Sequence, residues 1–257
     1  MPAITESKYL VMAGWDDAPH LTDKAKRDLL RSTPPHLRDA RSKGIPALGS
    51  GAIFPLDEEM IKCDPIQIPD YWPRINGIDF GWTHPTAVAG CAWDRDNDIF
   101  YVYNGIKRSG TEGEALPPVV AASVKMWGEW IPTSWPHDGN KHELTGKKVA
   151  GMFKKAGLKM LKNMATHDEG GNDVEAGLLE MLERMQTGRF KVFSTVSVFF
   201  EEFRLYHRKN GKIVKEFDDF ISAVRYALMM KRYAKTKPVT KRPKGDGWKP
   251  LDPTMGY

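Results

Sequence analysis

Three short apolar runs set the strongest limit on how this chain can fold. They read RINGIDF at 74–80, TAVAGCAWD at 86–94 and IFYVYNG at 99–105. Each is rich in β-branched and aromatic residues, and each is the length of a strand. The break between the last two is DRDND, and Asp and Asn tolerate the backbone of a tight turn. Strands spaced this closely predict an antiparallel meander.

The period then changes. A helix is predicted from about Leu116 to Trp130, with Pro117 and Pro118 suited to its first turn. A short strand at 131–137 leads to Asp138. A helix over 145–156 opens on Thr145, and 158–164 reads as a strand. Over 172–187, Val174, Leu178, Leu179, Met181, Leu182 and Met185 share one helical face, and Gly188 is a natural stop. A strand from Arg189 to Phe193 and a helix over 196–206 follow. Next come a hairpin through Lys209, Asn210 and Gly211, and a last helix from about Asp218 to Tyr233. A meander followed by alternating helices and strands implies an α/β fold, a mixed sheet flanked by helices. No internal repeat is visible.

Upstream, KYLVMAGW at 8–15 reads as a short buried strand. Thr22 is placed to cap a helix from Asp23 to about Ser32, which Pro34 and Pro35 end. Residues 33–57 are rich in Pro, Gly and charge and read as a linker or extended arm. The expected division is an arm over 1–67, a main domain over 68–235 and a basic flexible tail over 236–257. From Lys231 to Lys249 eight Lys and Arg face one acid, Asp246. That is a solvated tail or a contact for phosphates or an acidic partner. The net charge of +5 permits a polyanion partner without requiring one. Cys63 and Cys91 have no metal-like spacing, so a disulfide framework is not expected. There is no signal peptide, and no apolar run approaches the roughly 20 residues that span a bilayer. A soluble protein is expected.

Candidate chemistry lies in acids that the fold does not call for. Asp79 interrupts an apolar strand, and Gly77 and Gly81 leave room beside it. A buried carboxylate is unfavourable unless it is paired or holds a cation. Asp138 sits in SWPHDGNKHE, where Asp-Gly is also a common turn. Asp218 and Asp219 open the last helix, where acids commonly cap or meet the dipole. Carboxylates are the ligands that hard divalent cations prefer. Two such ions can activate a water and stabilise the leaving oxygen of a phosphodiester.

These residues carry a resemblance. GIDFGWTHPTA, the PHDG segment and KEFDDFISAVRYAL occur in the order seen in the nuclease domain of the tailed-phage terminase large subunit, which has a ribonuclease H-like fold. VEAGLLEMLERMQTGRFKVF and the stretch from GWDDAPHL to GAIFP are also similar to terminase sequence. The resemblance spans roughly residues 8–233. It implies a metal-dependent endonuclease of double-stranded DNA acting in viral genome packaging, with two Mg²⁺ or Mn²⁺ ions. Asp79, Asp138 and Asp218 would be the catalytic metal-binding acids and Asp219 a further ligand. Many relatives carry another acid where Ser222 stands here, which leaves open whether the helix supplies one acid or two, and whether Asp218 or Asp219 leads. Lys141, Lys147, Lys148, Arg204 and Lys215 are candidate contacts to the DNA backbone. Portal protein, terminase small subunit and ATPase motor domain would be partners, in the host cytoplasm and transiently at the procapsid portal. The motor's phosphate loop, GxxxxGK[ST], has no match here, so residues 1–67 would be its last edge and a linker. Two other readings share the features: another ribonuclease H-like nuclease of the resolvase type, and a non-catalytic portal or motor docking module.

Overall fold

The computed structural model describes residues 4–5, 8–9, 13–33, 38–44, 51–81, 84–110, 116–140 and 149–239. Ten strands and seven helices occur among them. The strands are β1 Ile4–Thr5, β2 Lys8–Tyr9, β3 Lys62–Cys63, β4 Arg74–Asp79, β5 Thr86–Asp94, β6 Ile99–Arg108, β7 Thr133–Ser134, β8 Phe190–Phe193, β9 Arg208–Lys209 and β10 Lys212–Ile213. The helices are α1 Asp23–Ser32, α2 Arg38–Lys43, α3 Leu116–Lys125, α4 Val149–Lys155, α5 Val174–Gln186, α6 Ser197–Leu205 and α7 Asp219–Met229.

Six strands form one sheet in the order β3-β8-β6-β5-β4-β7. The meander β4-β5-β6 is antiparallel, and β7, β8 and β3 add in parallel. The sheet is therefore mixed, as the sequence predicts. Asp98 takes φ 51 in the predicted β5–β6 turn. Thr22 caps α1 by accepting from the Ala25 backbone N–H, and Gly188 takes φ 75 after α5.

Both faces of the sheet are covered, so its strands read as nearly continuous apolar runs. Side chains on a strand alternate between faces. Ile75, Ala87, Ala89 and Cys91 enter a large core with α5, α6 and α7. Ile78, Phe80 and Val88 enter a second core with α3 and α4. That alternation places Asp79 on the α7 face, two residues beyond Gly77. A Cβ on Gly77 would lie 1.8 Å from the Ala223 carbonyl oxygen, so strand and helix touch backbone to backbone.

Several elements differ from expectation. The sheet and its core reach upstream of Ile68: β3 pairs with β8, and Ile53, Phe54, Leu56 and Ile61 are buried. Phe54 stacks on Phe203 with ring centroids 5.6 Å apart, and the Ile53 N–H donates to the Tyr206 carbonyl. Part of the expected arm is thus core, and α2 also falls within it. Of the strand expected over 8–15, Lys8–Tyr9 pairs with β1, and residues 10–12 lie outside the described residues. Asp17 accepts from the Gly14 N–H and closes a 3-10 turn over Trp15–Asp17 instead. Residues 158–164 make a single bridge, Met160 to Thr133, because β7 offers two residues, bounded by prolines. Helix α3 stops at Lys125, before Gly128 turns the chain at φ 142. Thr145, the expected opening of α4, lies outside the described residues.

The start of the basic run from Lys231 is also built in. Lys231 pairs with Glu180, Arg232 with Asp168 and the Thr166 carbonyl, and Lys237 with Asp70. Residues 240–257 lie outside the described set. Cys63 and Cys91 are free thiols. Among the described residues no helix is long and apolar enough to cross a membrane.

Candidate active site

Asp79 is the last residue of β4, and β7 runs parallel beside it with Gly77 opposite Ser134. Parallel neighbours deliver their carboxyl ends to one edge of the sheet. The chain leaving β7 turns through a 3-10 helix, His137–Asn140, and there Asp138 emerges. The Ser134 hydroxyl donates to the Tyr226 carbonyl and ties β7 to α7. The N-terminus of α7 supplies Asp218 and Asp219. Asp79, Asp138, Asp218 and Asp219 all line one cavity of about 760 Å³. The four acids named from the sequence are thus brought together.

Their environments differ. The Asp79 carboxylate has no hydrogen-bond or ion-pair partner among the described residues. Burial first, then the charges of Asp218 and Asp219, push its pKa up to about 8, against the opposing pull of Arg225. Burial and Asp219 likewise raise Asp218, while His84 pulls it down. Asp138 lies 3.0 Å from His137 Nε2. Asp219 is engaged: one oxygen is 2.9 Å from His84 Nδ1 and the other 2.7 Å from Lys107 Nζ.

Asp218 is the N-cap residue of α7, yet its side chain makes no capping bond. Glu202, buried on α6, does that work from outside. Its Oε2 accepts from the Phe220 and Ile221 N–H groups at 2.8 and 3.0 Å, and its Oε1 accepts from Lys107 Nζ at 2.6 Å. A helix N-terminus is stabilised by such an anion. Because Glu202 satisfies it, the Asp218 carboxylate is left to face the cavity. The residue before it, Phe217, takes φ 57, and such strain in a non-glycine residue gathers at functional sites.

Lys107, Glu202, His84 and Arg225 were not among the residues singled out from the sequence. Glu202 had a faint signal, an acid set within the apolar face of Phe199, Phe200 and Phe203. Lys107, paired with Ala87 near the end of β6 and beyond the strand read over 99–105, had none.

The predicted DNA contacts divide. Lys215 is exposed and lines the cavity. Arg204 instead forks onto the buried Glu58, at 2.7 and 2.8 Å, and does not line the cavity. Lys141, Lys147 and Lys148 lie outside the described residues.

The donor set suits a hard divalent cation: oxygen-only, partly buried, and carrying like charges that a cation would relieve. Among the described residues no three of these side chains already close on one point as ligands. The acids ring the cavity, and Asp219 is held back by Lys107.

A family model described as Terminase RNaseH-like domain matches residues 76–231. The large terminase subunit of Salmonella phage P22 is 46% identical over 230 residues, which is 89% of this chain and 45% of that protein. Its counterpart in Enterobacteria phage LP7 is 48% identical over 217 residues, 84% of this chain and 45% of that protein. The chain spans about half the length of these relatives. The solved structure of the P22 large terminase nuclease domain superposes with a TM-score of 0.68 at 46% identity, covering 74% of this chain and 96% of that one.

Proposed function

Since the chain belongs to the terminase RNaseH-like domain family, we propose that it is an endonuclease of double-stranded DNA in viral genome packaging, dependent on two Mg²⁺ or Mn²⁺ ions. The observation that carries this reading is Asp79, a half-buried carboxylate with no hydrogen-bond or ion-pair partner among the described residues, facing three further acids in one cavity. A stable fold has no use for that arrangement unless a cation joins it.

Asp79, Asp138 and Asp218 would hold the ions, which supply charge to polarise the phosphate and acidify a bound water. The protein's own part is to hold and orient. Gly77 lets α7 approach β4 closely enough to bring Asp218 to the Asp79 side. Glu202 fixes the start of α7. Lys107 engages Asp219 and so leaves Asp218 as the leading acid of the helix. Lys215, exposed at the rim, would meet the DNA backbone through its charge alone, giving binding that is sequence-independent and sensitive to salt. Portal protein, terminase small subunit and an ATPase motor are the proposed partners. The proposed location is the host cytoplasm and, transiently, the procapsid portal.

The test is nicking of supercoiled plasmid in Mn²⁺, with EDTA as the blank and Asp79→Asn alongside. Cutting by the wild type, lost in both controls, is the expected result; unchanged cutting by Asp79→Asn would sink the assignment. Linear duplex, a four-way junction and an RNA–DNA hybrid run in parallel separate a packaging nuclease from a resolvase-type enzyme. Binding of DNA or partner without cleavage at any Mn²⁺ concentration would favour the docking module.

A further inference from the structure

One charged group in the cavity has no part in the reading above. Arg225 lies on α7, two turns beyond Asp218, and is only 3% exposed. A guanidinium stays charged at any working pH, so burying it is unfavourable unless its donors are used. Among the described residues they are poorly used. Nη1 reaches the Met229 sulfur at 3.6 Å, and buried Nε has no hydrogen-bond partner. Arg225 also interacts with the Tyr226 hydroxyl, and Cζ lies 4.5 Å from the centroid of the Tyr226 ring. Space for its stem is made by Gly177, near the start of α5, where a Cβ would come within 2.7 Å of Arg225 Cδ. Glycine is unfavourable inside a helix, so its presence there fits a demand made by Arg225.

We propose that Arg225 grips a non-bridging oxygen of the DNA phosphate that is cut, which makes it a further catalytic residue of this site. The proposal rests on the nuclease reading. The acids that would hold cations also repel a phosphate. A planar guanidinium among them offers donors shaped for phosphate oxygens. Simple neutralisation of Asp79 is the competing role, and it would need a positive charge but no particular geometry.

Arg225→Lys separates the two, since it keeps the charge and loses the planar fork. Plasmid nicking at saturating Mn²⁺ should fall by about 10- to 100-fold in kcat, the range of one lost charge-assisted hydrogen bond. The Mn²⁺ concentration for half-maximal rate and the Tm should stay unchanged. Arg225→Gln should lose at least as much. Gly177→Ala, which alters no polar group, should lower kcat by crowding the stem, and it decides the matter if both Arg225 variants fail to fold. Wild-type cutting by a folded Arg225→Lys, or by Gly177→Ala when the others are unfolded, overturns the proposal. So does a loss in Arg225→Lys that higher Mn²⁺ restores, because that marks a metal-positioning role. A wild type that never cuts removes the nuclease reading itself, and this inference with it.

Discussion

Asp79 serves the cavity at the expense of the folded state. Its carboxyl holds a proton up to about pH 8 when folded, whereas an unfolded Asp releases it near pH 3.9. Across that window the folded chain binds more protons, so metal-free stability should fall as pH rises from about 4 to about 8 and then level off. In EDTA the Tm should therefore drop between pH 5 and pH 8. Asp79→Asn should flatten that drop and melt several degrees above wild type at pH 8, at roughly 2–4 °C per kcal/mol for a chain this size. Differential scanning fluorimetry reads both, and a lower Tm for Asp79→Asn would contradict the account. Mn²⁺ should raise the wild-type Tm most at pH 8 and leave Asp79→Asn little changed. Glu202 is the opposite kind of acid. Glu202→Ala would leave two helix N–H groups unsatisfied and Lys107 with Asp219 alone, an expected loss of about 2–5 kcal/mol in urea unfolding, the scale of two buried donors left without an acceptor. Glu202→Gln keeps an acceptor and should lose less. Arg204→Ala should lower stability by about 1–3 kcal/mol, leaving Glu58 buried alone, without changing the salt dependence of DNA binding. A reduced salt slope would return Arg204 to the DNA contacts.

At the scale of elements, the central pair is β4 against α7. Gly77→Ala would force a Cβ into the Ala223 carbonyl, and overpacking of this kind typically destabilises by about 1–3 kcal/mol. Here the neighbour is backbone, so the loss should sit at the upper end, and cutting should fall with it. Unaltered stability by urea titration would mean that helix and strand separate easily. The same pair shows what a sequence makes legible. The meander, α5, the β9–β10 hairpin and α7 were readable because their periods and turn residues are local. Asp79 and Asp218 were readable as misplaced acids. Glu202, Lys107 and the Glu58–Arg204 pair were not, because their partners lie far away in the chain and leave no period. Ile53 and Phe54 were hidden by the Pro and Gly around them, which read as linker although the aromatic ring was needed by Phe203.

At the scale of the whole molecule, the cavity lies where β4, the turn after β7 and the start of α7 meet, so three segments far apart in sequence must dock before it exists. The chain spans 45% of its P22 relative, and the proposed motor and portal partners would act on it from outside this sheet. Under the proposed function, this nuclease would have to leave DNA intact during packaging and cut it only at set moments. Gly77 bears on how that is managed. With peptide lying directly on peptide, no deformable layer of side chains separates Asp79 from the helix that bears Asp218. The spacing of the acids is then as stiff as the backbone itself and offers no soft adjustment by which cutting could be dialled up or down. On the proposed function, timing would then be imposed at the mouth of the cavity, by whether a DNA strand is let in.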